Sequence, residues 1–114
     1  MRVLTQGEIE ADIMRVADEI EEQTHVYADV AHDAAVREAD YKLRVARAIV
    51  SLSASEARMT AAEKQARADV QAAEELREWK IADARLKATK ESLLSLRARM
   101  DALRSLSANV RSQT

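Results

Sequence analysis

The 114-residue chain contains no cysteine, no proline and no phenylalanine, one glycine (Gly7), and three aromatic residues, Tyr27, Tyr41 and Trp79. Each absence removes a class of protein. Without cysteine there are no disulfides, thiolate metal sites, iron–sulfur clusters or cysteine nucleophiles, and no sign of an oxidising compartment. A β-sandwich or barrel needs β-branched and aromatic residues separated by Gly and Pro turns, and this composition supplies neither. A Gly-rich phosphate loop is excluded by the same count. No apolar run approaches the roughly 18 residues of a membrane span, and the N-terminal MRVLTQGEIEAD lacks a signal-type hydrophobic region. Sequence therefore predicts a cytoplasmic protein without membrane contact.

What the chain does contain is 23 alanines, 18 basic and 20 acidic side chains, the composition of an all-α protein. Charge is unevenly placed. Residues 1–52 carry 6 basic and 11 acidic side chains, whereas residues 53–114 carry 12 basic and 9 acidic. The two ends are electrically opposite: residues 1–36 hold nine acids against Arg2 and Arg15, and residues 85–114 hold seven basic residues against Glu91 and Asp101.

Two Ser/Thr-x-x-Glu capping boxes, Thr5 to Glu8 and Ser53 to Glu56, mark helix starts, and the second lies in the Ser-rich stretch 51–55. They predict helix 1 over about 6–51, a turn at about 52–55, and helix 2 over about 54–110, in a single domain spanning 1–114. Without Gly or Pro at the turn, one continuous helix stays open as an alternative. Helix 1 carries an apolar stripe at seven-residue intervals, Ile13, Ile20, Tyr27, Ala34, Tyr41 and Ala48. Helix 2 carries a double stripe, Trp79, Leu86, Leu93, Met100 beside Ala82, Thr89, Leu96, Leu103, Val110. Upstream, a thinner seam of Met59, Ala62, Ala66, Val70, Ala73 and Leu76 slips phase near Leu76, as a stammer would produce. Folding back at Ser53 pairs residues whose numbers sum to about 106, which sets Ile13 against Leu93, Ile20 against Leu86, Tyr27 against Trp79 and Ala34 against Ala72. The expected fold is a long antiparallel helical hairpin, a coiled coil. In this register Met100, Leu103, Leu106 and Val110 overhang helix 1. A thin two-helix pair also buries little surface, so self-association into a helical bundle is expected, a homodimer first, with those four residues as the oligomer interface.

Lys90, Arg97, Arg104 and Arg111 recur every seven residues, forming a basic ladder with a rise of about 10.5 Å per step. Lys87, Arg85 and Arg99 widen it. Such a row is a candidate contact for a nucleic-acid backbone or a partner. Equally, it is a flanking row that pairs with Asp12, Glu19, Asp33 and Asp40 of helix 1 or of a neighbouring subunit, and no aromatic is interleaved with it to stack bases. His25 and His32 follow Glu22 and Asp29 by three residues, a spacing found in di-metal bundles. Both lie far around the helix from the Tyr27 stripe, so no metal is expected. The three aromatics sit at core spacing and are read as packing. Ser92, Ser95, Ser105, Ser107 and Ser112 have no base beside them in the pattern and are read as outer-face residues. No catalytic residue, enzyme activity or cofactor is predicted.

The run from Ala84-Arg85-Leu86-Lys87 through Glu91-Ser92-Leu93-Leu94-Ser95-Leu96-Arg97-Ala98-Arg99-Met100 to Leu106, with Ala39-Asp40-Tyr41-Lys42, resembles small helical coiled-coil proteins of tailed bacteriophages encoded near recombination and single-strand-annealing genes. In that group the inter-helix segment is often richer in Gly or Pro than the Ser-rich segment here. The resemblance implies a non-enzymatic accessory role in phage DNA recombination or replication, inside an infected host cell, by coiled-coil assembly and contact with single-stranded DNA or an annealing protein. From a different class comes a protein-interaction module that binds and modulates a host or phage protein with no nucleic-acid contact.

Overall fold

The computed structural model describes residues 4–55 and 57–113. Three helices follow one another: α1 (Gln6–Ser53), α2 (Ala61–Gln71) and α3 (Ala73–Ser112). Helix α1 opens where the first capping box places it, with the Glu8 N–H donating to Thr5 Oγ1 at 3.2 Å. It then runs 48 residues without Gly or Pro to interrupt it after Gly7.

The connection differs from expectation. Ser53 is the last residue of α1 rather than the cap of the next helix, and the chain leaves through an Ala54 N–H to Val50 O bond of 3.1 Å. The cap of the returning helix is Thr60, in extended conformation at φ -70 and ψ 162, whose Oγ1 accepts the Glu63 N–H at 3.1 Å. Thr60-Ala-Ala-Glu63 is thus the second capping box in use. The turn about 52–55 is corrected to 54–60, and the start of the second helix from about 54 to Ala61. Hydrogen bonding decides this: Thr60 satisfies an orphan amide of α2, whereas the Ser53 backbone is already inside α1. The second helix is also interrupted. Ala72, at φ -98 and ψ 11, separates α2 from α3, although the ladder carries on across it through Leu76 N–H to Ala72 O at 2.9 Å.

The packing forms two compact units. The first consists of residues up to Ala28 together with those from Lys87 onward. Its interior is built from Ile9, Val16, Leu93 and Met100, with Thr89 and Ser107 buried beside them. Gln6 Nε2 donates to Ser107 Oγ at 2.9 Å, while Thr24 and Tyr27 line a groove with Lys90 and Leu93, so α1 and α3 run antiparallel here. Ser107, read from sequence as an outer-face residue, is an interior one.

The second unit is Asp29–Leu86. Among the described residues its buried positions are all alanine, Ala34, Ala48, Ala68, Ala72 and Ala82. Side chains this small let helix axes approach toward the short end of the usual 8–10 Å range. Tyr41 packs against Trp79, stacked with centroids 5.5 Å apart and planes at 23°. Beside it Arg37 Nη1 donates to Glu78 Oε2 at 2.8 Å and Arg44 Nε lies 3.9 Å from Glu75 Oε1. These pairs are about 40% exposed or somewhat less, so solvent screening holds each to roughly 0–1 kcal/mol.

The contacts correct the register. Residue numbers sum to 113 at Gln6–Ser107 in the first unit and 120 at Tyr41–Trp79 in the second, against about 106 from the earlier pivot. Tyr27 therefore does not face Trp79. The α3 double stripe is inward as predicted, but the thin α2 seam is mis-phased: Ala68 and Ala72 are buried, while Val70 is 77% exposed. In an Ala-rich segment apolar residues fall on every face, so spacing alone does not select one.

Two pairs of variants test this arrangement by urea denaturation. Thr60→Ala is expected to cost about 1 kcal/mol as the loss of a working N-cap, and Ser53→Ala less than about 0.5 kcal/mol. Ala68→Leu is expected to destabilise by about 1–3 kcal/mol through overpacking, whereas Val70→Ala changes little.

Candidate nucleic-acid interface

Heptad position determines where the basic ladder lies. With Leu93 and Met100 at one core position of α3 and Leu96 and Leu103 at the other, Lys90, Arg97 and Arg104 occupy the edge just beyond the core. In α1 the core positions are Ile13, Ile20, Tyr27 and Ile9, Val16, Gln23. Glu10, Ala17 and Thr24 then fall on one edge, and Asp12 and Glu19, with Asp33 and Asp40 further along, on the other. Antiparallel packing sets like edges together, and the grooves bear this out. In the first unit one groove, of about 390 Å³, is lined by Ala17, Ile20, Arg97, Met100, Asp101 and Arg104. A second, of about 220 Å³, is lined by Thr24, Tyr27, Lys90, Leu93, Leu94 and Arg97. The ladder thus borders Ala17 and Thr24, which carry no charge.

Two members of the acidic row are engaged elsewhere. Asp12 pairs with Arg15 on its own helix, and in the second unit Asp33 lies 3.5 Å from Arg37 and lines a groove with Glu78 and Arg85. Glu10, the acid on the ladder's own edge, accepts from Gln6 Nε2 at 3.1 Å. Lys90, Arg97 and Arg104 are exposed, and among the described residues none of them makes an ion pair. Arg111 is exposed and has a contact of its own, as do Arg85 and Lys87. Among the described residues Lys90, Arg97 and Arg104 thus make no ion pair with Asp12, Glu19, Asp33 or Asp40 of their own chain. Asp101 lines the first groove and lowers its positive potential locally.

The corrected register brings in a residue that sequence spacing did not associate with the ladder. Tyr27, half-buried on α1, lines the second groove with Lys90 and Arg97. An aromatic is absent from the ladder in sequence but present beside it in space. No α3 spacing rule finds it, because it belongs to the other helix.

The overhang expected of Met100, Leu103, Leu106 and Val110 is corrected by the same shift. Met100 is 6% exposed, Leu103 and Val110 are half-buried, and Leu106 is 36% exposed. Gln6 reaches Ser107, so the end of α3 lies alongside the first turns of α1 rather than beyond them. The large exposed apolar residues of α1 include Val36, Leu43 and Val50, which recur at the same seven-residue spacing as the inward stripe.

His25 and His32 are exposed on α1. Among the described residues no group of three or more His, Cys, Asp or Glu is placed to hold a metal ion, and no helix is long and apolar enough to cross a membrane. The chain matches no protein-family model, no curated protein and no solved structure.

Because Lys90, Arg97 and Arg104 make no ion pair among the described residues, Arg97→Gln with Arg104→Gln is expected to change the unfolding free energy in urea by less than about 0.5 kcal/mol. Met100→Ala, in the core beneath it, is expected to cost about 2 kcal/mol or more.

Proposed function

We propose that this protein is a non-enzymatic helical-hairpin accessory protein that holds single-stranded nucleic acid along the Lys90–Arg104 edge, in the phage DNA recombination or replication setting that its resemblance implies. The carrying observation is that Lys90, Arg97 and Arg104 line grooves with uncharged α1 residues and with Tyr27, without ion pairs among the described residues. Cations spaced by about 10.5 Å engage alternate positions of a flexible backbone rather than a fixed duplex geometry. Tyr27 offers a ring face on which a base stacks. The acidic residues of α1, Asp18, Glu21 and Glu22 among them, are exposed nearby and repel phosphate. Binding is therefore weak and strand-like, confined to one edge of the hairpin. The supporting chemistry needs no catalytic group.

Anisotropy titration of a labelled single-stranded oligonucleotide tests this. Three ladder contacts give a slope of about -2 for log affinity against log salt. Arg97→Gln with Arg104→Gln flattens that slope and weakens binding at low salt. Tyr27→Leu costs about 1 kcal/mol or more of affinity while leaving the slope unchanged. No binding at low salt, or binding indifferent to both changes, would move the function to the protein-interaction class.

A further inference from the structure

The second unit carries an apolar face that the hairpin does not use. On α1, Val36, Ala39, Leu43, Ala46 and Val50 are spaced by three and four residues, the alternation of a coiled-coil seam. All five are exposed, with Val36 at 41%, Leu43 at 49% and Val50 at 69%. The α1 residues that pair with the returning helix, Arg37, Tyr41 and Arg44, centre on a different side, and the two sides meet at a groove lined by Asp40, Leu43, Arg44, Arg47 and Glu75 of α3. Val36 is two residues, or about 200°, beyond the buried Ala34. The helix is thus amphipathic twice, and only one seam is filled.

We propose that this second seam is the docking surface for α1 of a second copy of the chain, antiparallel about a two-fold axis between Arg44 and Val45. Charge selects both the occupant and the register. Asp40 and Arg47 flank the seam on one edge, both exposed, and among the described residues neither makes an ion pair. They are seven residues apart on one helix, about 10.5 Å, too far to pair within the chain. A two-fold axis at 44.5 brings Asp40 to Arg47 of the second copy, and Arg47 to its Asp40. The same register seats Leu43 against Ala46 of the second copy and Val50 against its Ala39, large into small. Moving the axis half a heptad back sets Asp40 against Asp40, and half a heptad forward sets Arg47 against Arg47. A parallel pair sets Lys42 against Arg47. Each alternative carries like-charge repulsion that the chosen register lacks. The surface is self-complementary, as an isologous dimer interface requires. It replaces Met100, Leu103, Leu106 and Val110 as the oligomer interface and is independent of the ladder, which lies in the other unit.

Sedimentation equilibrium over a wide concentration range, with circular dichroism to verify helix content, tests the assignment. The parent is expected to dimerise. Leu43→Asp weakens the dimer by about tenfold or more at unchanged helicity, since Leu43 is half exposed in the single chain. Asp40→Arg weakens it by creating two repulsive contacts, and adding Arg47→Asp restores it by exchanging the charges. Because the chain lacks cysteine, mixing Leu43→Cys with Ala46→Cys protein reports the register directly through a disulfide-linked dimer that Val36→Cys with Ala46→Cys does not form. A parent that stays monomeric would overturn the proposal. So would a dimer indifferent to Leu43→Asp and to the charge exchange, or one that fails to cross-link between positions 43 and 46.

Discussion

The arrangement depends on how the chain returns after α1, and a single hydrogen bond marks that return: the Glu63 N–H to Thr60 Oγ1 at 3.1 Å. It starts the second helix at Ala61 and leaves 54–60 as the connection. Two helices of heptad periodicity tolerate slippage by whole heptads, because each slip restores the same inward faces while exchanging every partner. The cap and the length of the connection therefore choose among registers that the core stripes alone leave nearly equivalent. The choice is what places Tyr41 on Trp79, Gln6 on Ser107 and Tyr27 beside Lys90 and Arg97.

The two units meet this constraint with different interiors. The first buries branched and long side chains, Ile9, Val16, Leu93 and Met100, which contribute through area removed from water. The second buries alanine methyls, each contributing about 0.8 kcal/mol or less, and gains mainly from close helix approach and from one aromatic stack. Its flanking ion pairs are too exposed to add much.

Electrostatics follows from which edge a heptad position occupies. The sequence places acids in the first half and bases in the last, and antiparallel packing puts these segments side by side. Lys90, Arg97 and Arg104 do not meet Asp12 and Glu19, because those acids stand on one edge of α1 and the three cations meet the other, at Ala17 and Thr24. An edge with three cations that make no ion pair among the described residues, opposite an edge of acids, is a polar arrangement within a chain of net charge only -2. Local placement, not net charge, governs what such a surface attracts.

Much of the molecule is legible in its residues. The absence of Pro, the scarcity of Gly and aromatics and the abundance of Ala make it helical; Thr5 and Glu8 start α1; the heptad stripes through Ile13 and Ile20 and through Leu93 and Met100 identify the inward faces of α1 and α3. These are local properties, decided within a turn or two of helix. The pivot at Thr60, the burial of Ala68 rather than Val70, and the meeting of Tyr27 with the ladder were not legible in the same way. They depend on which of several competing caps is used and on which heptad of one helix meets which of the other. A periodic sequence repeats the same signal at each of those choices, so only the three-dimensional contact between distant segments distinguishes them.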